Sequence, residues 1–335
     1  MSDPTPLDGV DLVLADLDGV VYRGARAIPH AVESINRAGA ARRVGYITNN
    51  ASRTPESVAE QLSGFGLNAT ADDVVTSPQA AVRLLSEMVP VGSLVFAVGG
   101  EGLKVELENA GFAITESADD GPVAVIQGFS QDIGWMHLAE ASYALQANGG
   151  LIPWVATNMD WTLPTARGTA PGNGALVSAI HLAVGRLPVV AGKPEVAIFE
   201  EALHRFGGSK ALFLGDRLDT DILGANRAGL DSVLVLTGID RAKQVLAADP
   251  NSRPTYVLDD LRGLHEPYPI AKDQTMPDGS RIVTVGTAVV RMAGHVVSIA
   301  SRGDSKLNLL RAGAAAIWGS GLAIYGLDVE SELYS

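Results

Sequence analysis

The chain has 335 residues, with 25 Lys and Arg against 38 Asp and Glu for a net charge of −13, and it has no cysteine. That composition excludes a disulfide framework, a thiol nucleophile and a Cys-liganded zinc site, and the acidic balance repels a polyphosphate backbone, so no nucleic-acid partner is expected. With 47% hydrophobic and 19% charged residues the chain is too apolar for disorder and long enough for two or three domains.

The acidic start MSDPTPLDGVD carries no Lys or Arg before Arg23 and lacks the cationic flank of a secretory signal. No run approaches the ~20 apolar residues of a membrane span. A soluble, cytoplasmic protein without a membrane partner is the expectation.

From residue 11 short apolar runs alternate with helix-length amphipathic segments: LVLADLDGV, a helix near Ala31–Ala40, RVGYITNN, and a helix near Pro55–Phe65. The rhythm continues through SLVFAVGG, PVAVIQGF and IPWVATN and returns with KALFLGDRLDTD, DSVLVLTG and PTYVLDD. It predicts an α/β fold with a parallel sheet, apolar on both faces because helices cover both. Residues 267–280 carry three prolines and little apolar periodicity, which predicts a linker. Beyond it the pattern predicts a ββαβ module over 281–335: a strand at Arg281–Arg291, a strand at His295–Ser301, a helix at Lys306–Ile317 and a strand at Leu322–Leu327. Lys, Arg, Asp and Glu balance from 271 onward, so the whole net charge resides in residues 1–270. A module this small is marginal alone and is expected to pack on the main body or on a partner.

Four segments at predicted strand ends could carry chemistry, where open α/β sheets bind ligands. Asp16 and Asp18 in DLDGV are like charges that invite a Mg²⁺ ion, or form a plain turn. Thr48, Asn49 and Asn50 in ITNNAS offer a hydroxyl, amides and backbone N–H groups to an anion at a helix start; equally, Ser52 or Thr54 caps that helix. Lys193 in GKP is a cation for a phosphoryl oxygen, or a surface residue before a helix that starts near Pro194. Asp216, Asp219 and Asp221 in GDRLDTD supply more cation ligands; a helix cap by Asp219 would account for one of the three. In conjunction the four describe a metal-assisted phosphoryl site.

In this order DLDGV, ITNNAS, GKP and GDRLDTD resemble the four motifs of the haloacid dehalogenase (HAD) superfamily of phosphatases, over residues 11 to about 260. The insertion over 78–188, with ATNMDWTLP and PGNGALVSAI, is similar to the α/β cap of the NagD-like and p-nitrophenylphosphatase-like branch. The resemblance implies a HAD-like, Rossmannoid parallel-sheet core over 1–77 and 189–266, an inserted α/β cap, and a small α+β C-terminal module. It implies Mg²⁺-dependent hydrolysis of a small phosphorylated metabolite, glycerol 3-phosphate first, with phosphoglycolate or pyridoxal phosphate as alternatives. A non-catalytic metabolite-binding or regulatory protein is the alternative of another class.

Carried over by position, Asp16 is the nucleophile, Asp18 the acid and base, and Thr48, the Asn49 backbone and Lys193 bind the phosphoryl oxygens. Asp16, the Asp18 carbonyl and Asp216 hold the metal, with Asp221 orienting Lys193 or a metal-bound water. Asn158, Asp160 and Asn173 in the cap are candidates to face the leaving group, or else brace Gly- and Pro-containing turns. The branch also implies a possible homodimer through the cap. The tail's order resembles a fragment of a GNAT-type acetyltransferase. No Arg/Gln-x-x-Gly-x-Gly/Ala string for coenzyme A occurs in 281–335, so a non-catalytic appendage is expected.

Overall fold

Apolar, β-branched runs form the parallel strands expected of them. The computed structural model describes residues 3–165 and 167–335, in two compact units: residues 1–44 with 208–335, and residues 45–207.

In the first unit the strands Tyr256–Leu258, Asp231–Val235, Ala211–Gly215 and Leu12–Ala15 lie side by side in that order, all parallel. Leu12, Val13 and Leu14 face Ala211, Leu212 and Phe213 and are buried throughout, as a doubly covered sheet requires. The register places the ends at Ala15 and Leu214 level, so Asp16 and Asp216 leave the sheet at one edge.

The tail belongs to this unit and is larger than ββαβ. Lys272–Thr275, within the predicted linker, is a fully exposed edge strand held by backbone pairing to Arg281–Val285. The predicted strand Arg281–Arg291 is a hairpin, Arg281–Val285 and Ala288–Ala293, whose two-residue loop uses Gly286 at a positive φ of 57°. Val296–Ser301 follows, then a helix at Lys306–Ser320, and the last strand is the short Asp328–Val329 instead of Leu322–Leu327. The order is therefore ββββαβ.

One apolar cluster joins this module to the parallel-sheet layer. It runs from Leu218, Ile222, Leu234, Val245, Leu246 and Val257 to Val283, Val290, Leu309, Leu310, Ala314 and Ile317. Polar contacts reinforce the seam: Arg311 donates from Nε and Nη2 to the Val257 carbonyl at 3.0 and 2.7 Å, and Trp318 Nε1 donates to the Val245 carbonyl at 3.2 Å.

In the second unit Tyr46, Ile47 and Thr48, the end of the strand Arg43–Thr48, pair in parallel with Val74–Thr76. A five-stranded parallel sheet runs in the order Val189–Val190, Trp154–Ala156, Ala124–Gln127, Leu94–Val98, Ala113–Thr115. The helices Trp135–Gln146 and Asn173–Val184 cover one face, around Phe96, Val125, Trp154 and Val177. The unit extends beyond 78–188 because helix Ser77–Ser86 packs against both Val196–Phe206 and Glu101–Asn109.

Candidate active site

The candidate residues fall into two groups, one in each unit. In the first unit, Asp16, Asp216 and Asp221 are all buried and bring carboxylate oxygens within 4.8 Å of one another. Asp16 follows its strand directly, its N–H donating to the Leu214 carbonyl at 2.8 Å. Asp221 reaches the cluster because Leu218–Ile222 is a π-helical turn, with the Ile222 N–H donating to the Arg217 carbonyl at 3.0 Å. Its Oδ2 accepts the N–H groups of Asp216 and Arg217 at 3.0 and 3.1 Å. Asp219, a candidate cap, is instead exposed and paired with Arg217 at 2.8 Å. Arg217 itself is the residue before the turn.

Three glycines make room for these acids. A Cβ on Gly238 would lie 1.8 Å from Asp216 Oδ2, one on Gly215 would lie 2.3 Å from the Asp221 Cβ, and one on Gly19 (φ +83°) would lie 2.3 Å from Asp216 Oδ2. The Ile239 N–H donates to Asp216 Oδ2 at 2.7 Å, and the Leu218 N–H to Asp240 at 2.6 Å. Burial pushes the Asp240 carboxyl up, opposed by that Leu218 N–H. Gly238 and Ile239 escape sequence reasoning; the one signal is a glycine just past the neighbouring strand end.

Asp18 is exposed, whereas Asp16 and Leu17 just past the strand Leu12–Ala15 are buried. Its loop is tied down by Thr237, whose hydroxyl donates to the Gly19 carbonyl at 2.7 Å.

The acid cluster fits a hard divalent cation. Three buried carboxylates this close repel one another and favour a bound counter-charge, and an oxygen-only set without His or Cys selects Mg²⁺- or Ca²⁺-like ions over zinc.

In the second unit Thr48 is buried at its strand end, and its Oγ1 accepts the Asn50 N–H at 3.1 Å. Asn50 Oδ1 accepts the N–H groups of Ser52 and Arg53 at 3.0 and 3.2 Å. Thr54 caps helix Pro55–Gly64, so Asn49 and Asn50 lie in a self-braced loop between the strand ending at Thr48 and that helix. Asn49 is the hub. Its side-chain amide brackets the Lys193 backbone, with Oδ1 accepting the Lys193 N–H at 2.8 Å and Nδ2 donating to the Lys193 carbonyl at 3.1 Å. Its own carbonyl accepts Ser77 Oγ and Asn158 Nδ2, both at 2.8 Å. Ser77 carries no sequence signal for this role.

Gly192 is required by the same bracket, since a Cβ there would lie 2.7 Å from Asn49 Oδ1. Lys193 is only 4% exposed, and a lysine buried to this degree calls for an anionic or polar partner. The helix after it is Val196–Phe206, not one starting at Pro194, so Lys193 belongs to a turn closed by the Glu195 N–H on the Gly192 carbonyl at 3.0 Å.

Asn158 and Asn173 act here as braces of neighbouring backbone. Both are buried, and Asn173 Nδ2 donates to the Asn158 carbonyl at 2.8 Å while Asn158 Nδ2 is spent on Asn49. Asp160 is partly exposed, but its Oδ1 accepts Asn49 Nδ2 at 3.1 Å.

Replacing Asn49 by Ala removes the side chain that brackets the Lys193 N–H and carbonyl. We expect a loss of about 1–3 kcal/mol in urea unfolding, with turnover reduced roughly tenfold or more as Lys193 loses its register. An Asn49→Ala protein with unchanged unfolding midpoint and rate would refute the bracket.

Comparison with known proteins places these groups in context. A haloacid dehalogenase-like hydrolase model matches residues 13–113, and a HAD-hydrolase-like model matches residues 190–264. The chain is 44% identical over 308 residues to the D-glycerol 3-phosphate phosphatase of Mycobacterium tuberculosis, covering 92% of this chain and 86% of that one. The crystal structure of a glycerol phosphate phosphatase from the same organism, in complex with magnesium, superposes with a TM-score of 0.86 at 39% identity, over 98% of this chain and 95% of that one. The p-nitrophenyl phosphatase of Archaeoglobus fulgidus superposes with a TM-score of 0.69 at 29% identity, over 76% of this chain but 98% of its own. About a quarter of this chain thus has no counterpart there, whereas the first structure matches it almost throughout.

Proposed function

Because the chain belongs to the haloacid dehalogenase-like hydrolases, we propose that it is a Mg²⁺-dependent phosphatase of small phosphate monoesters, with glycerol 3-phosphate as its substrate. The observation that carries this reading is the buried cluster of Asp16, Asp216 and Asp221, a cation site at the carboxyl ends of two adjacent parallel strands. The M. tuberculosis relative, 44% identical over 92% of this chain, is a D-glycerol 3-phosphate phosphatase, which supports the choice of ester.

Asp16, the Asp18 backbone carbonyl and Asp216 would hold the cation. When bound, it neutralises the repulsion between the Asp16 carboxylate and an incoming phosphate dianion. Asp16 attacks phosphorus, giving an aspartyl-phosphate and dividing hydrolysis into two easier steps. Asp18, accessible to solvent, protonates the departing alkoxide and then takes a proton from the attacking water. Thr48, the Asn49 N–H and the Lys193 ammonium bind the equatorial oxygens, where charge accumulates in the transition state. Asp221 orders the Asp216–Arg217 backbone through its two accepted N–H bonds and so aims the Asp216 carboxylate. The same reading includes a cytoplasmic location and a homodimer. The exposed Trp135, Met136 and Tyr143 of helix Trp135–Gln146 support the dimer, and a monomer mass in light scattering would remove it.

The test is phosphate release with and without Mg²⁺ over glycerol 3-phosphate, phosphoglycolate, pyridoxal 5′-phosphate, a sugar phosphate, a nucleoside monophosphate and p-nitrophenyl phosphate. Mg²⁺-dependent turnover is expected to be highest on glycerol 3-phosphate. Folded, Mg²⁺-bound protein inert toward the whole panel would replace this reading with a metabolite-binding role.

A further inference from the structure

We infer that the C-terminal module is a positioning element for the acid cluster, acting through helix Ala242–Ala247 on the turn that carries Asp221. The inference rests on the cation-binding reading above and adds to it a task for the module.

The turn Leu218–Ile222 is π-helical, a geometry rarely stable without outside support. Its two polar carboxylates point to opposite fates. Asp219 lies exposed with Arg217, while Asp221 turns inward to the Asp216 and Arg217 N–H groups. What anchors the turn is apolar: Leu218 is 8% exposed and Ile222 fully buried, and both belong to the cluster that contains the module's own core. Val245 and Leu246 of helix Ala242–Ala247 belong to the same cluster, and that helix packs on the module's helix Lys306–Ser320.

The module's helix Lys306–Ser320 closes on that layer. A Cβ added at Gly313 would be in van der Waals contact with Leu246 Cδ2 at 3.4 Å, so the two helices pass close to one another there. Leu310, three residues earlier on the helix surface, is 4% exposed in the same cluster. Two polar clasps fix the helix against sliding: Arg311 on the Val257 carbonyl, and Trp318 on the Val245 carbonyl, with the Arg253 guanidinium stacked 5.5 Å over the Trp318 ring. A close-packed interior transmits a lost side chain as displacement of its neighbours. A void at Leu310 is therefore expected to loosen the cluster that Leu246, Leu218 and Ile222 share with it, and so to shift the Asp221 carboxylate relative to Asp16 and Asp216.

The experiment is Mg²⁺ titration of the substrate-free full chain, followed by thermal shift, for the wild type, Leu310→Ala, Leu310→Met and the cap-core control Val177→Ala. Leu310→Ala is expected to need at least threefold more Mg²⁺ for half of the thermal shift. Leu310→Met, which keeps the volume, should restore the wild-type midpoint. Val177→Ala, buried in the other unit, should lower Tm without moving the Mg²⁺ midpoint. Should Leu310→Ala not fold, Leu310→Val carries the same test with a smaller void. A lowered Tm with an unchanged Mg²⁺ midpoint at Leu310, or an equal midpoint shift in Val177→Ala, would overturn the inference and leave the phosphatase reading intact. A wild type without any Mg²⁺ response would remove the cation site itself.

Discussion

Asp16→Asn is expected to abolish phosphate release, by about four orders of magnitude or more, as removal of a covalent nucleophile does elsewhere. The fold should survive, because Asn matches Asp in shape and the Asp16 N–H still donates to the Leu214 carbonyl. The charge change works in favour of the metal-free protein. Three carboxylates with oxygens within 4.8 Å repel one another by about 3 kcal/mol per pair at an effective dielectric of about 20. Neutralising one removes two of the three pair terms. The metal-free Tm should therefore hold or rise, while the increase in Tm on adding Mg²⁺ shrinks or disappears. Paired scans with and without Mg²⁺, alongside the rate assay, read both effects. A well-folded Asn variant with a near-normal rate would end the nucleophile assignment, and a sharp fall in metal-free Tm would end the electrostatic one.

Gly238→Ala should be nearly as damaging although residue 238 offers no side chain to the chemistry. The new methyl would sit 1.8 Å from Asp216 Oδ2 and 2.2 Å from its Cβ, well inside van der Waals contact. Asp216 cannot simply swing away, since its Oδ2 is held by the Ile239 N–H at 2.7 Å and its carbonyl accepts the Asp240 N–H at 3.1 Å. A displacement on the order of 1 Å at a ligand or reacting group costs roughly a hundredfold in rate. The expected result is a kcat/KM lower by about that factor or more, with a raised Mg²⁺ requirement. Gly64→Ala is the matched control: nothing lies within 4 Å of a Cβ there, so rate and Mg²⁺ dependence should not change. A Gly238→Ala enzyme with wild-type kinetics would mean that Asp216 does not need its present position.

The chain's own chemistry by itself determined the outline. The parallel α/β class and the strand-end placement of Asp16, Thr48 and Asp216 follow from local apolar runs closed by polar residues, and a short window of sequence contains all of that information. The assignment of Asp221 over Asp219 to the acid cluster, and of Asn49 to the Lys193 backbone, follows from no such window. Both depend on where a carboxylate or amide points after the turn is built. Asn158 shows the same limit: an Asn in a glycine-containing turn can serve a ligand or a backbone carbonyl, and its bond to the Asn49 carbonyl, over a hundred positions away, forms only in the folded chain. The strand Lys272–Thr275 was illegible because an edge strand held by backbone pairing needs no apolar side chain to announce it. The tertiary structure alone decided that the tail shares a core with the acid-bearing layer, since Leu246, Leu310 and Ile222 become neighbours only when three distant segments bury their apolar faces together.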